Sequence, residues 1–92
     1  MQVNLYWQTA SETNTEKYVI ERMLEGESDF EAIGEVAAND FSLSTLEYNF
    51  TDANGFSGTS YYRLKIMDFD GSFEYSAINA VTGIQEQVLI NT

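Results

Sequence analysis

The chain has 92 residues, 43% hydrophobic and 14% aromatic, so one domain with an apolar core is expected and intrinsic disorder is disfavoured. A count of 15 acidic and 4 basic residues gives a net charge of −11, which disfavours binding to nucleic-acid phosphates and anionic lipid head groups. The absence of cysteine and histidine excludes disulfide scaffolds, thiolate metal sites, cysteine nucleophiles and Ser-His-Asp catalysis.

Short segments with alternating apolar and polar side chains predict six β-strands. In chain order they run over residues 3–8, 17–24, 30–36, 47–50, 61–67 and 73–81. Turn-forming pairs separate them, including Glu25-Gly26, Asn54-Gly55 and Asp70-Gly71. Gly34, inside the third segment, indicates a bulge or a close backbone approach. No segment has the period of an amphipathic helix, so the sequence predicts an antiparallel all-β sandwich of six to seven strands.

The apolar positions of these strands predict the core. It consists of Leu5, Trp7, Tyr18, Ile20, Ile33, Tyr62 and Leu64. Trp7 ends an alternating apolar run, as the core tryptophan of such a sandwich does. Tyr61 or Tyr62 stands where a tyrosine corner could form, in which a strand-end hydroxyl bonds back to an upstream segment.

The last ten residues differ from the rest. We expect residues 1–82 to form the sandwich, because Gly83 breaks the last predicted strand and residues 84–87 have no strong pattern. Residues 83–92 are then either a linker to a following domain or a segment in which residues 88–90 add to an edge strand.

Several of these residues together resemble a known family. They are Trp7-Gln8-Thr9-Ala10-Ser11-Glu12, Tyr18, Ile20-Glu21-Arg22, Phe30, Ile33-Gly34-Glu35-Val36, Tyr48, Phe50, Asp52, Tyr61-Tyr62-Arg63-Leu64-Lys65, Asp68, Asp70-Gly71 and Tyr75-Ser76. In this combination residues 2–81 resemble the fibronectin type III-like module near the C-terminus of many large proteins exported by the type IX secretion system. The resemblance implies an immunoglobulin-like sandwich, a secreted or cell-surface parent, often a downstream sorting domain, and no enzyme activity.

One departure from the family concerns the start of the chain. In the family a first strand usually precedes the tryptophan strand, but here Met1 stands almost directly before Val3. A sheet lacking that strand has an exposed edge, which invites pairing with another strand. We expect the edge to pair with the tail or with another chain, the latter giving an edge-strand dimer.

Asp68 and Asp70 are weak candidates for metal ligands. Calcium takes oxygen ligands, and these two carboxylates are followed at once by a glycine, as at the start of some calcium loops. However, Gly71 falls at the wrong position for an EF-hand, so a hairpin turn is the simpler interpretation. We therefore expect no cofactor, with Ca²⁺ as the one alternative.

Exposed aromatic residues are the best sequence signal for ligand binding, because sugars stack on flat rings. Those expected to be partly exposed are Tyr6, Phe41, Phe56, Phe69 and Phe73. Phe56 and Phe69 lie in predicted loops and are the main ligand candidates. The simpler interpretation is that they cap the core.

These observations predict a non-catalytic spacer or docking module of a larger extracellular or cell-surface protein. Its partners would be neighbouring domains of the same polypeptide, and in addition a polysaccharide or a protein. Nucleic acid is disfavoured by the charge, and membrane insertion by apolar runs far shorter than about 18 residues. The alternatives are a carbohydrate-binding module that uses loop aromatics and a calcium-stabilised adhesion module.

Overall fold

The computed structural model describes residues 2–9, 12–38, 41–42, 45–54, 56–82 and 87–90. This part of the chain is all-β. Its strands are β1 (Val3–Thr9), β2 (Glu12–Thr13), β3 (Thr15–Leu24), β4 (Glu31–Ala37), β5 (Phe41–Ser42), β6 (Leu46–Asp52), β7 (Thr59–Asp68), β8 (Phe73–Tyr75), β9 (Asn79–Thr82) and β10 (Gln87–Leu89). They form a three-stranded sheet, a five-stranded sheet and a small β2–β5 ribbon.

The three-stranded sheet has the order β10-β1-β6. β1 pairs antiparallel with β6 along its whole length, from Val3 opposite Asp52 to Thr9 opposite Leu46. β10 lies on the other side of β1 and runs parallel to it. The tail was expected to be either a linker or an added edge strand, and residues 87–89 form an edge strand. They occupy the side of β1 that was expected to be open.

The five-stranded sheet has the order β4-β3-β7, with β8 and β9 both paired to β7. The prediction of a single strand over residues 73–81 is wrong, because residues 76–78 interrupt it. β8 ends with Tyr75 opposite Lys65, and β9 begins with Asn79 opposite Tyr62. Residues 76–78 therefore lie opposite only two residues of β7, 63 and 64. The one extra residue produces a bulge, which divides the predicted strand into β8 and β9.

The bulge and the close approach predicted at Gly34 are both present. The register between β3 and β4 shifts after Ile20, which lies opposite Gly34, while the next pair joins Glu21 and Ala32. A side chain at Gly34 would overlap the ring of Phe50, which reaches over from the three-stranded sheet. Ile33 is the extra residue of the bulge, and for this reason it is only half-buried at the margin of the core.

The core lies between the two sheets. Its buried apolar residues are Val3, Leu5, Trp7, Tyr18, Ile20, Tyr62, Leu64, Val81, Val88 and Ile90. Trp7 packs edge-on against Tyr18 and stacks on Tyr48, with ring centroids 5.6 and 5.9 Å apart. These rings anchor the centre of the core, while Val88 and Ile90 bring the tail into it. The result is an open, two-sheet all-β domain consistent with a sandwich.

Candidate functional site

A network of polar side chains lies beneath the surface where β6 leads into β7. Arg22 Nη1 donates hydrogen bonds to both carboxylate oxygens of Asp52, at 2.9 and 2.8 Å. The Tyr62 hydroxyl donates to Asp52 Oδ2 at 2.7 Å. Asn54 Nδ2 donates in turn to Tyr62 and to Ser60 Oγ, each at 2.9 Å. We call these five residues the Asp52 network; since they hydrogen-bond one another, they tie the end of β6 to β3 and β7.

The Asp52 network contains the tyrosine predicted for a tyrosine corner. Tyr62 is fully buried, whereas Tyr61 is half-buried. The Tyr62 hydroxyl reaches back ten residues along the chain, but it meets the side chain of Asp52 and not a backbone group. Nothing in the strand pattern gave Asp52 a role of its own, so its part in anchoring Tyr62 was missed.

The Asp52 network predicts a loss of stability at alkaline pH. Burial, and then the hydrogen bond to Asp52, raise the pKa of Tyr62 from 10.0 to about 12. Between these values the unfolded chain releases a proton that the folded chain keeps, so rising pH favours unfolding. The free energy of unfolding should fall by about 2 kcal/mol across this window, through Tyr62 alone. Urea unfolding of wild type and Tyr62→Phe between about pH 8 and pH 12 measures this loss.

Tyr62→Phe is the control for this measurement because every other tyrosine and lysine remains. Its free energy of unfolding should be lower at neutral pH, since Asp52 and Asn54 lose a buried partner. It should then decline less steeply with rising pH than that of wild type. Parallel pH profiles for the two proteins would contradict the assignment.

The turn between β7 and β8 contains the two weak metal candidates. Its backbone is closed by hydrogen bonds from Asp68 N to Ser72 O (2.9 Å) and from Gly71 N to Asp68 O (3.0 Å), and Gly71 has a φ of +90°. Ser72 Oγ donates to Asp70 Oδ1 at 2.6 Å, and hydrogen bonds from Ser72 lower the pKa of the exposed Asp70. Within the described residues no three acidic side chains are grouped so that they could hold a metal ion.

The two loop phenylalanines lie at opposite ends of β7. Phe56 precedes the strand, is 37% exposed and lies against Gly58. Phe69 follows the strand and is 56% exposed. A ten-residue strand separates them by about 30 Å. They therefore cannot form one stacking platform, while the Phe41 side chain falls outside what the structure describes.

A row of stacked cations and rings crosses the outer face of the five-stranded sheet. The Arg63 guanidinium lies between the rings of Phe30 and Tyr75, 4.0 and 3.9 Å from their centroids. Lys65 Nζ lies 4.1 Å from the centroid of Phe73, whose ring is 5.4 Å from that of Tyr75. Such contacts stabilise by about 0.5–1 kcal/mol each at exposed sites. In this cation–aromatic row the cations cover ring faces on which a sugar would otherwise stack.

The outer face of the three-stranded sheet has a different chemistry. It consists of Asn4, Tyr6, Gln8, Glu47, Asn49, Thr51, Gln87 and Leu89, and we call it the amide face. Tyr6 lies at its centre, opposite Asn49 on β6 and beside Leu89 on β10, and is 37% exposed. Glu47 is its one acid and accepts a hydrogen bond from Gln8 Nε2 at 2.9 Å. A shallow depression of about 220 Å³ adjoins Tyr6, Asn4 and Asn49.

No family model, curated protein or solved structure matches the chain. In the part of the chain that the structure describes, no helix is long and apolar enough to cross a membrane. The structure itself shows an all-β, two-sheet domain with a buried aromatic core.

Proposed function

We propose that this chain is a non-catalytic, fibronectin type III-like spacer or docking module of a larger secreted or cell-surface protein. The course of the chain supports the family. β1 lies in one sheet, β3 and β4 in the other, β6 in the first again, and β7 to β9 in the second. Such alternation between sheets is the Greek-key pattern of immunoglobulin-like sandwiches. β10 then fills the place beside β1 that a first strand of the family would take.

The parallel pairing of β1 with β10 carries the spacer proposal. Asn4 lies opposite Gln87 and Tyr6 opposite Leu89, so the first and last described strands point the same way. A polypeptide that continues beyond both strands would enter at one end of the domain and leave toward the other. Because the domain measures 39 × 24 × 18 Å, it would hold its neighbours apart by up to 39 Å.

Small-angle scattering of a fusion protein tests the spacer role. The chain is placed between two compact monomeric proteins, and the distribution of distances between them is derived. A rigid module should give a narrow distribution set by its 39 Å length. A Gly/Ser linker of 92 residues is the matched control, for which a broad distribution around about 50 Å is expected. A distribution as broad as that of the linker would refute the proposal.

The other functions predicted from the sequence have less support. Carbohydrate binding through Phe56 and Phe69 would need two separate contacts, because the residues lie at opposite ends of β7. Calcium-stabilised adhesion would rely on Asp68 and Asp70, and Ser72 already hydrogen-bonds both carboxylates. An edge-strand dimer formed at β1 would first have to displace β10.

A further inference from the structure

We infer that the amide face is a binding site for a neutral oligosaccharide, with the Tyr6 ring as its stacking platform. This inference goes beyond the spacer role and does not depend on it. Nothing in the sequence motifs pointed to this face, since Tyr6 was only one of five rings expected to be partly exposed.

The side chains around Tyr6 match the two kinds of surface that a sugar presents. A sugar ring has an apolar C–H face, which stacks on an aromatic ring, and hydroxyl groups that both donate and accept hydrogen bonds. Asn and Gln side chains carry a donor and an acceptor on one planar group. Asn49 lies across from Tyr6, and Asn4 and Gln8 lie about 7 Å from it along β1. The platform is thus surrounded by amides on its own strand and on the next.

The charge of the face selects a neutral ligand. Among the acidic residues that the structure describes, Glu47 alone belongs to the amide face, and Gln8 Nε2 donates a hydrogen bond to its carboxylate. A face with so few charges gains little from a charged ligand. The net charge of −11 repels polyanions such as uronate or sulfated chains at longer range. A neutral sugar meets neither obstacle.

The other exposed rings are less suited to stacking. Phe56 and Phe69 stand alone at opposite ends of the domain, and Phe73 and Tyr75 have ring faces covered by Lys65 and Arg63. Among the described residues, no ring or cation packs over Tyr6. The depression beside it adds a recess in which a sugar hydroxyl can reach Asn4 or Asn49. The amide face is therefore the surface that best combines an open ring with hydrogen-bonding groups.

NMR titration of the ¹⁵N-labelled full chain tests this inference. The probes are cellohexaose, xylohexaose, mannohexaose and maltohexaose, with hexagalacturonate as the charged counterpart. At least one neutral probe should shift the amide resonances of Tyr6 and Asn49, with a Kd of about 0.1–1 mM, as expected for a shallow site. Hexagalacturonate should bind more weakly than that neutral probe.

Substitutions show whether an oligosaccharide binds at the amide face or at another surface. Tyr6→Ala should weaken binding at least tenfold, and Asn49→Ala should weaken it several-fold. Phe73→Ala, in the cation–aromatic row, is the matched control and should bind as wild type does. Urea midpoints show whether each variant is folded. Four results would overturn the inference: no shifts with any neutral probe at about 10 mM, equal binding by Tyr6→Ala, shifts confined to the loops of Phe56 and Phe69, or preference for hexagalacturonate.

Discussion

Replacing Asp52 by alanine should lower the free energy of unfolding by about 3 kcal/mol, because it leaves a guanidinium and a phenol without their shared acceptor. Arg22 donates two hydrogen bonds to this carboxylate and Tyr62 donates a third. The Asp52 side chain is only 10% exposed and that of Arg22 only 23%, so water can replace the lost contacts only in part. Urea unfolding at neutral pH measures the loss.

Two comparisons isolate the network from general charge effects. Asp29→Ala removes an acid from an exposed turn, and it should change the free energy of unfolding by less than about 0.5 kcal/mol. The double variant Asp52→Ala, Arg22→Met removes both charges and should recover part of the loss, since the buried cation disappears with its partner. Equal effects of Asp52→Ala and Asp29→Ala would show that the network does not stabilise the fold.

Replacing Ile90 by aspartate should lower the free energy of unfolding by about 3–5 kcal/mol. Ile90 is 1% exposed, and its backbone N–H donates to Tyr6 O at 2.9 Å. A carboxylate there cannot remain among apolar side chains, so the tail would detach from β1. The loss is limited to the burial of Val88 and Ile90 and their edge hydrogen bonds, because the rest of the core can stay folded. Urea unfolding and faster hydrogen exchange of β1 amides would report the change.

Leu89 provides the matched control on the same strand. It is the neighbour of Ile90 in sequence, but it is 44% exposed on the amide face. Leu89→Asp introduces the same charge and should cost less than about 1 kcal/mol. If both variants unfold at the same urea concentration, β10 is not docked as described.

The sequence predicted best the strands whose pattern repeats. Val3, Leu5 and Trp7 alternate with polar neighbours, and all three are buried in β1. The structure of the tail was harder to predict, because its three consecutive apolar residues, 88–90, are equally typical of a buried strand and of a loose chain end. Its partner, β1, lies more than 80 residues away along the chain, and it pairs in parallel. Periodicity does not contain that information.

The candidate surfaces were harder to predict than the fold. The Asp52 network joins residues from β3, β6 and β7. It forms only when these strands are aligned in the observed register, and the turn residues in the sequence do not determine that register. The cation–aromatic row had a usable signal: Arg63 and Lys65 alternate on one predicted strand, and Phe73 and Tyr75 alternate on the next. Two such runs in adjacent antiparallel strands share a face when their register aligns. The amide face needed the position of β10, which no pattern supplied.

The direction of β10 also determines how the domain would respond to tension. If its two ends were pulled apart, β1 and β10 would slide past each other along their length, because they lie side by side and run the same way. Sliding strains all the hydrogen bonds between the two strands at once, whereas peeling an end away would break them one after another. Although β10 has only three residues, separating it from β1 in this direction would need a higher force than peeling it away.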